Sequence, residues 1–375
     1  GVSISGNVMH LEHVAHDGIR IRTGATRSMD IKTMTISDNR ISAVADDEVY
    51  CGIHWVGEDG AGDYSGIIEG VQVIDNTITD FLIGVWVVQS DNGMAHNELY
   101  LKSCAMDGNA VTDCKYNGLG WTCGGVGGNG GLTHGFSASR NSVITAYLNT
   151  SGNQTPYGRP MVLVELGRGL LSGIGASNVH QVSVDGNHCY ITQDDVGDVC
   201  WSGVVLEMGI MENAGGGVFN ARTASTVSVS NNHVRNVALI GIGFIVDGVW
   251  EVADQTVTGV SRVRTCTVSD NIVSMSDTQE TQGGITSEKN SLSSSVMHEV
   301  LTFQGNSVIN NGQDGLARDC IKVDWMKGTT TVPIKGIVTN NINSATNDAT
   351  MNFAGTEWVF TGDHFHSLNS NVTIT

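Results

Sequence analysis

Apolar and polar positions alternate in a fixed frame around one recurring asparagine. MTISDNRISAV begins at Met34, VSVDGNHCYIT at Val182, CTVSDNIVSMS at Cys266 and LTFQGNSVINN at Leu301. The frame is marked by Asn7, Asn39, Asn76, Asn109, Asn141, Asn187, Asn232, Asn271, Asn306 and Asn341, in steps of 32 to 46 residues, with Asn371 a possible eleventh. Three residues before each stands an apolar side chain, from Ile4 to Val338. Five before, only Gly336 departs from the pattern, and two after, Met9 to Val308 are apolar. Period-two alternation interrupted by a fixed Asn predicts strand, corner, strand. Asn tolerates the left-handed backbone of a sharp corner, and stacked Asn amides can hydrogen-bond along a column. A further strand follows in most repeats: GIRI at Gly18, GIHW at Gly52, GVWV at Gly84, GLGW at Gly118 and GVVL at Gly203.

Short strands at a coil-length period, joined by loops of variable length, predict an all-β protein, a right-handed parallel β-helix of about ten to eleven coils. Helical solenoids need long segments of 3.6-residue period, which are absent from the pattern, and these corners lack the hairpin pairing of a propeller. The phrase φ-x-φ-x-x-N-x-φ followed by G-φ-x-φ resembles the parallel β-helix repeat of pectate lyases, polysaccharide epimerases and phage tailspikes. The resemblance covers residues 1–375 as one β-helix domain, read as the body of a longer chain, and it specifies fold better than activity. The steps around residues 141–232 are longest, with polar loop insertions expected at 149–160, 193–203 and 211–225.

Composition narrows the partners. The 375 residues carry 38 acidic and 19 basic side chains, a net charge of −19, which disfavours nucleic acid and anionic membranes. No apolar run approaches the roughly 18 residues of a membrane span. Of eight cysteines, Cys104 and Cys266 occupy the five-before position and Cys189 the two-after position, where other repeats have Val, Met, Ile or Phe. They read as small buried hydrophobes, and no CxxC pair suggests zinc. Trp55, Trp86 and Trp121 fall on successive early coils and read as core, although Trp86 is one position out of line and outward tryptophans would suit sugar stacking. His10, His13 and His16 form no cluster with matching acids, and GGVGGNGG at 124–131 reads as a coil crossing, not a phosphate loop.

Candidate chemistry lies four residues after the glycine of the last strand. The position reads Arg22, Val56, Val88 and Thr122 in early coils, then Glu165, Glu207, Asp247, Glu288 and Asp324. Alternation turns Val204, Leu206, Phe244, Val246, Ile321 and Val323 inward and the acids outward. Rungs about 4.8 Å apart place like charges close enough to take up protons, bind a cation such as calcium or meet a basic partner. A carboxylate pair of split acidity can perform general acid–base or nucleophilic chemistry, as glycoside hydrolysis requires. A solvated acidic stripe is the alternative. Two residues before the acids, Leu163, Val205 and Ile245 are expected outward, either desolvating the acids or forming a subunit interface.

The expected catalytic residues are therefore Glu165, Glu207 and Asp247, with Arg168, Asp195, Trp201, Arg222 and Glu288 contacting substrate, and no cofactor or resident metal apart from calcium on the column. The resemblance implies a homotrimeric, tailspike-like virion protein, folded in a host cytoplasm, that binds and hydrolyses a surface polysaccharide. Alternatives are a non-catalytic glycan-binding fibre or adhesin, a polysaccharide lyase or epimerase, and a secreted or cell-surface location. Scarce basic residues disfavour the lyase.

Overall fold

A computed structural model describes the strands and the tight corners between them. Outside the described residues lie segments 13–16, 24–27, 45–49, 58–63, 89–95, 125–131, 147–158, 169–177, 193–200, 209–210, 213–217, 221–222, 247–248, 251–255, 259, 277–282, 290–294, 299–300, 311–317, 325–334, 346–347, 354–356, 367–368 and 375. The chain is a right-handed parallel β-helix of eleven coils, each giving one strand to each of three sheets. In the sixth coil these strands are Asn178–Asp185, His188–Ile191 and Trp201–Met208. Every strand pairs in parallel with its counterparts in neighbouring coils. Ser295–His298 is an additional strand on the first sheet, beside Val260–Ser269.

The corner between first and second sheets owes its constancy to the asparagines. Asn39, Asn76, Asn109, Asn141, Asn187, Asn232, Asn271, Asn306 and Asn341 are all buried. From Asn7 onward, each Nδ2 donates to the Oδ1 of the next Asn at 2.8–3.0 Å. From Asn39 onward, Nδ2 also donates to an inward-strand carbonyl of the preceding coil, as Asn187 does to Ala138. The ladder ends on Asp363, whose Oδ1 accepts from Asn341 Nδ2 at 2.8 Å. Asn371 is thus not an eleventh corner; it lies in the last third-sheet strand, Asn369–Ile374, opposite Thr350.

The left-handed conformation also falls on a different residue than expected. Positive φ occurs immediately before each ladder residue, at Gly6, Asp38, Asp75, Gly108, Arg140, Gly186, Asn231, Asp270, Gly305, Asn340 and Gly362. The ladder Asn is selected for its amide, while its predecessor absorbs the bend.

A second close approach fixes the corner before the third sheet. A Cβ on Gly203 would lie 2.4 Å from Val234 Cγ1, and one on Gly241 2.2 Å from Val273 Cγ1. In the fifth coil this position is Met161, and register puts the smaller Cys189 where the neighbouring coils carry Val143 and Val234. The core runs the length of the stack and includes Trp55, Trp121, Phe136, Phe244 and Phe303. Trp55 and Trp121 are core residues as expected, whereas Trp86 is half-buried on the opposite face of its strand. Cys51, Cys104, Cys114, Cys189, Cys266 and Cys320 are buried free thiols.

The expected loop at 211–225 is partly regular structure. It contains the short strands Met211–Glu212 and Val218–Asn220, which pair in parallel with Val249–Trp250 and Thr256–Thr258. Two successive insertions therefore stack on each other as the coils do. Of the other two expected loops, Arg159–Pro160 and Trp201–Gly203 already belong to third-sheet strands. The remainder of those two loops lies outside the described residues.

Candidate active site

The third sheet carries the acids, but not as a ladder of five. Glu165 pairs in register with Glu207, and Glu207 with Ile245. Ile245 pairs with Glu288, and Glu288 with Asp324. The column therefore holds two carboxylate pairs separated by an isoleucine. Ile245 takes the rung above Glu207 where Asp247 was expected, and Asp247 itself falls outside the described residues.

The misplacement comes from the sequence Gly241-Ile-Gly243, which offers two glycines for one corner. Only Gly241 sits where a side chain is excluded, with a Cβ there meeting Gly284 O at 2.4 Å as well as Val273. A Cβ on Gly243 would approach nothing nearer than 3.4 Å. Counting from Gly241 puts Ile245 on the acid rung and Gly243 in the companion column.

Val204, Leu206, Phe244, Ile321 and Val323 point into the core as alternation requires, leaving Glu165 and Glu207 on the outer face. That face is not solvated. Glu165 is 3% and Glu207 1% exposed. Beside them Leu163, Val205, Ile240 and Ile245 form a separate buried apolar cluster, with Leu239 packed against it. Of the two readings of Leu163, Val205 and Ile245, the subunit interface is overturned, because they are buried within the chain itself, while their burial beside Glu165 and Glu207 agrees with apolar cover over the acids. Packing the outer face of these middle coils removes the acids from water together with their apolar neighbours.

The lower end of the pair is polar. Thr122, buried one rung below Glu165, donates its Oγ1 hydrogen to Glu165 Oε2. On the upper side Ile245 occupies the rung next to Glu207.

The expected substrate contacts are dispersed. Trp201 opens the Glu207 strand, paired with Arg159, and Arg168 ends the Glu165 strand opposite Gly124. Glu288 lies on the same column beyond Ile245. Asp195 and Arg222, together with Asp194 and Asp198, fall outside the described residues.

Sequence reading missed two groupings. On the second sheet, His188 and His233 occupy successive rungs with ring centroids 5.2 Å apart, and Arg235 lies over the Tyr190 ring at 5.0 Å. Near the first corner, Asp17, Cys51 and His54 converge. The repeat frame contains the first signal, since His188 and His233 each follow a ladder Asn by one residue. Asp17 and His54 are 37 residues apart and meet only through coil stacking.

No family model matches the chain, and no curated protein matches it. Among solved structures, it is similar to the polygalacturonase from Erwinia carotovora ssp. carotovora, at 11% sequence identity over 100% of this chain and 98% of that one, with a TM-score of 0.43.

Proposed function

We propose that this β-helix binds a polysaccharide and hydrolyses it with Glu165 and Glu207, as a tailspike-like, trimeric virion protein would. The observation that carries the reading is the in-register pair of buried glutamates on the outer face of the third sheet. Two carboxylates one rung apart, at about 4.8 Å, can flank a single glycosidic bond. Thr122 supplies a hydrogen bond that orients Glu165 as the nucleophile. Glu207, stacked under Ile245, is then the acid that protonates the leaving oxygen. The short rung spacing suits a retaining reaction, in which Glu165 attacks the sugar carbon and is released by water. Calcium, which takes oxygen ligands, is the cation that the acidic column would hold.

A panel of bacterial surface glycans, assayed for new reducing ends, tests the reading. Glu207→Gln should abolish cleavage and retain binding, while Glu288→Gln, beyond the Ile245 break, should keep most activity. Equal small effects at both positions would remove the catalytic assignment. The burial of both acids favours one second reading, a non-catalytic glycan-binding fibre in which the pair is structural. Binding without cleavage by the unmodified protein across the panel would select it.

A further inference from the structure

We propose that Asp17, Cys51 and His54 bind a divalent transition-metal ion of the zinc class, which ties the first coil to the second. One ligand atom from each side chain lies within 4.8 Å of the others. Asp17 stands just before the first third-sheet strand, Ile19–Thr23, while Cys51 and His54 belong to the next, Cys51–Gly57. These strands are parallel neighbours, so an ion held by the three residues spans the coil junction.

The donor set selects the metal. A thiolate, an imidazole and a carboxylate suit zinc or cobalt, whereas calcium and magnesium take oxygen ligands. Two anionic ligands balance a divalent cation, which lowers the cost of placing it in a buried site. The site is shielded from solvent, since Cys51 is fully buried and the side chains of Asp17 and His54 are 2% and 11% exposed, and the fourth position of a tetrahedral ion is left to water.

The carboxylate is already oriented. Asp17 Oδ1 accepts the Cys51 N–H at 3.1 Å, and Oδ2 lies 2.9 Å from His54 Nδ1 and 3.4 Å from Arg20 Nε. Without metal the thiol is protonated, since burial, and then the charge of Asp17, push it well above its ordinary range. Coordination releases that proton to solvent, and the half-exposed Arg20 side chain turns outward as the ion takes its place beside Asp17.

The test is titration of the full metal-free chain with Co²⁺, then Zn²⁺, as probes. One equivalent of Co²⁺ should bind with a thiolate-to-cobalt charge-transfer band, be displaced by Zn²⁺ and slow hydrogen exchange in Ile19–Thr23 and Cys51–Gly57. Cys51→Ser should lose the band, and His54→Gln, which still fills the site, should weaken binding by at least about tenfold. Cys266→Ser, at a buried thiol far along the stack, should change neither. Absence of the band in the unmodified chain, or a band that survives Cys51→Ser, would overturn the assignment.

Discussion

A single amide carries much of the repeat's specificity. Asn187 donates through Nδ2 to Ala138 O and Asn232 Oδ1, and its own Oδ1 accepts from Asn141. Removing it strands buried partners on both sides, each costing about 1–3 kcal/mol. Asn187→Ala should therefore destabilise the fold by about 3 kcal/mol, measured by denaturant unfolding. The two glycines of Gly241-Ile-Gly243 offer a sharper residue-scale contrast. Gly241→Ala forces a methyl into Val273 and the Gly284 carbonyl and should cost about 1–3 kcal/mol or more. Gly243→Ala meets only ordinary contacts and should be nearly neutral in the same unfolding measurement. Equal costs at both would contradict the register that places Ile245, not Asp247, above Glu207.

At the scale of elements, the third-sheet strands of the middle coils are covered on both faces. Inside are Val164 and Leu206; outside are the Leu163, Val205, Ile240 and Ile245 cluster and the two glutamates. Ile245 separates the carboxylate pairs, so Ile245→Asp should lower stability by more than about 2 kcal/mol by burying another acid beside Glu207. Ile245→Val should cost only about 1 kcal/mol. The second sheet predicts a pH effect. His188 is held below the usual imidazole range by desolvation first and by His233 second. Above about pH 6.5 both folded and unfolded chains leave this residue neutral, and it contributes nothing to pH dependence. As pH falls through that value, the unfolded chain takes up a proton that the folded chain resists, and stability declines. His188→Asn should therefore reduce the loss of unfolding midpoint between pH 7 and pH 5.

Across the whole molecule, one continuous core runs through the coils, and buried thiols serve as its small hydrophobes. Burial pushes Cys104 up to about 11 and Cys114 up to about 12, and raises Cys189 and Cys266 further. Low thiolate content and lack of access together make them inert. Cys104, Cys114, Cys189, Cys266 and Cys320 should resist a thiol reagent in native buffer and react fully in denaturant. Fast native labelling at these positions would show that the stack opens coil by coil on the labelling timescale.

The fold was legible in the sequence because its determinants are local. Alternation flanking Asn109 or Asn271 fixes which side chains face inward, and the amide between them requires a like partner one coil away. The inward positions of Cys104, Cys189, Cys266, Trp55 and Trp121 followed from the same frame. The candidate site was legible only in part, because it depends on alignment between strands separated by insertions of unequal length. Composition could not choose between Gly241 and Gly243; the contact with Val273 in the next coil did. Nor could alternation distinguish an outward side chain from an exposed one, and Glu165 and Glu207 proved outward and buried. The sequence by itself determined the coil, since strand periodicity and corner chemistry are properties of a few adjacent residues. Tertiary structure alone decided the carboxylate pairing, the cover over it and the meeting of Asp17 with Cys51 and His54, because each depends on side chains brought together by stacking.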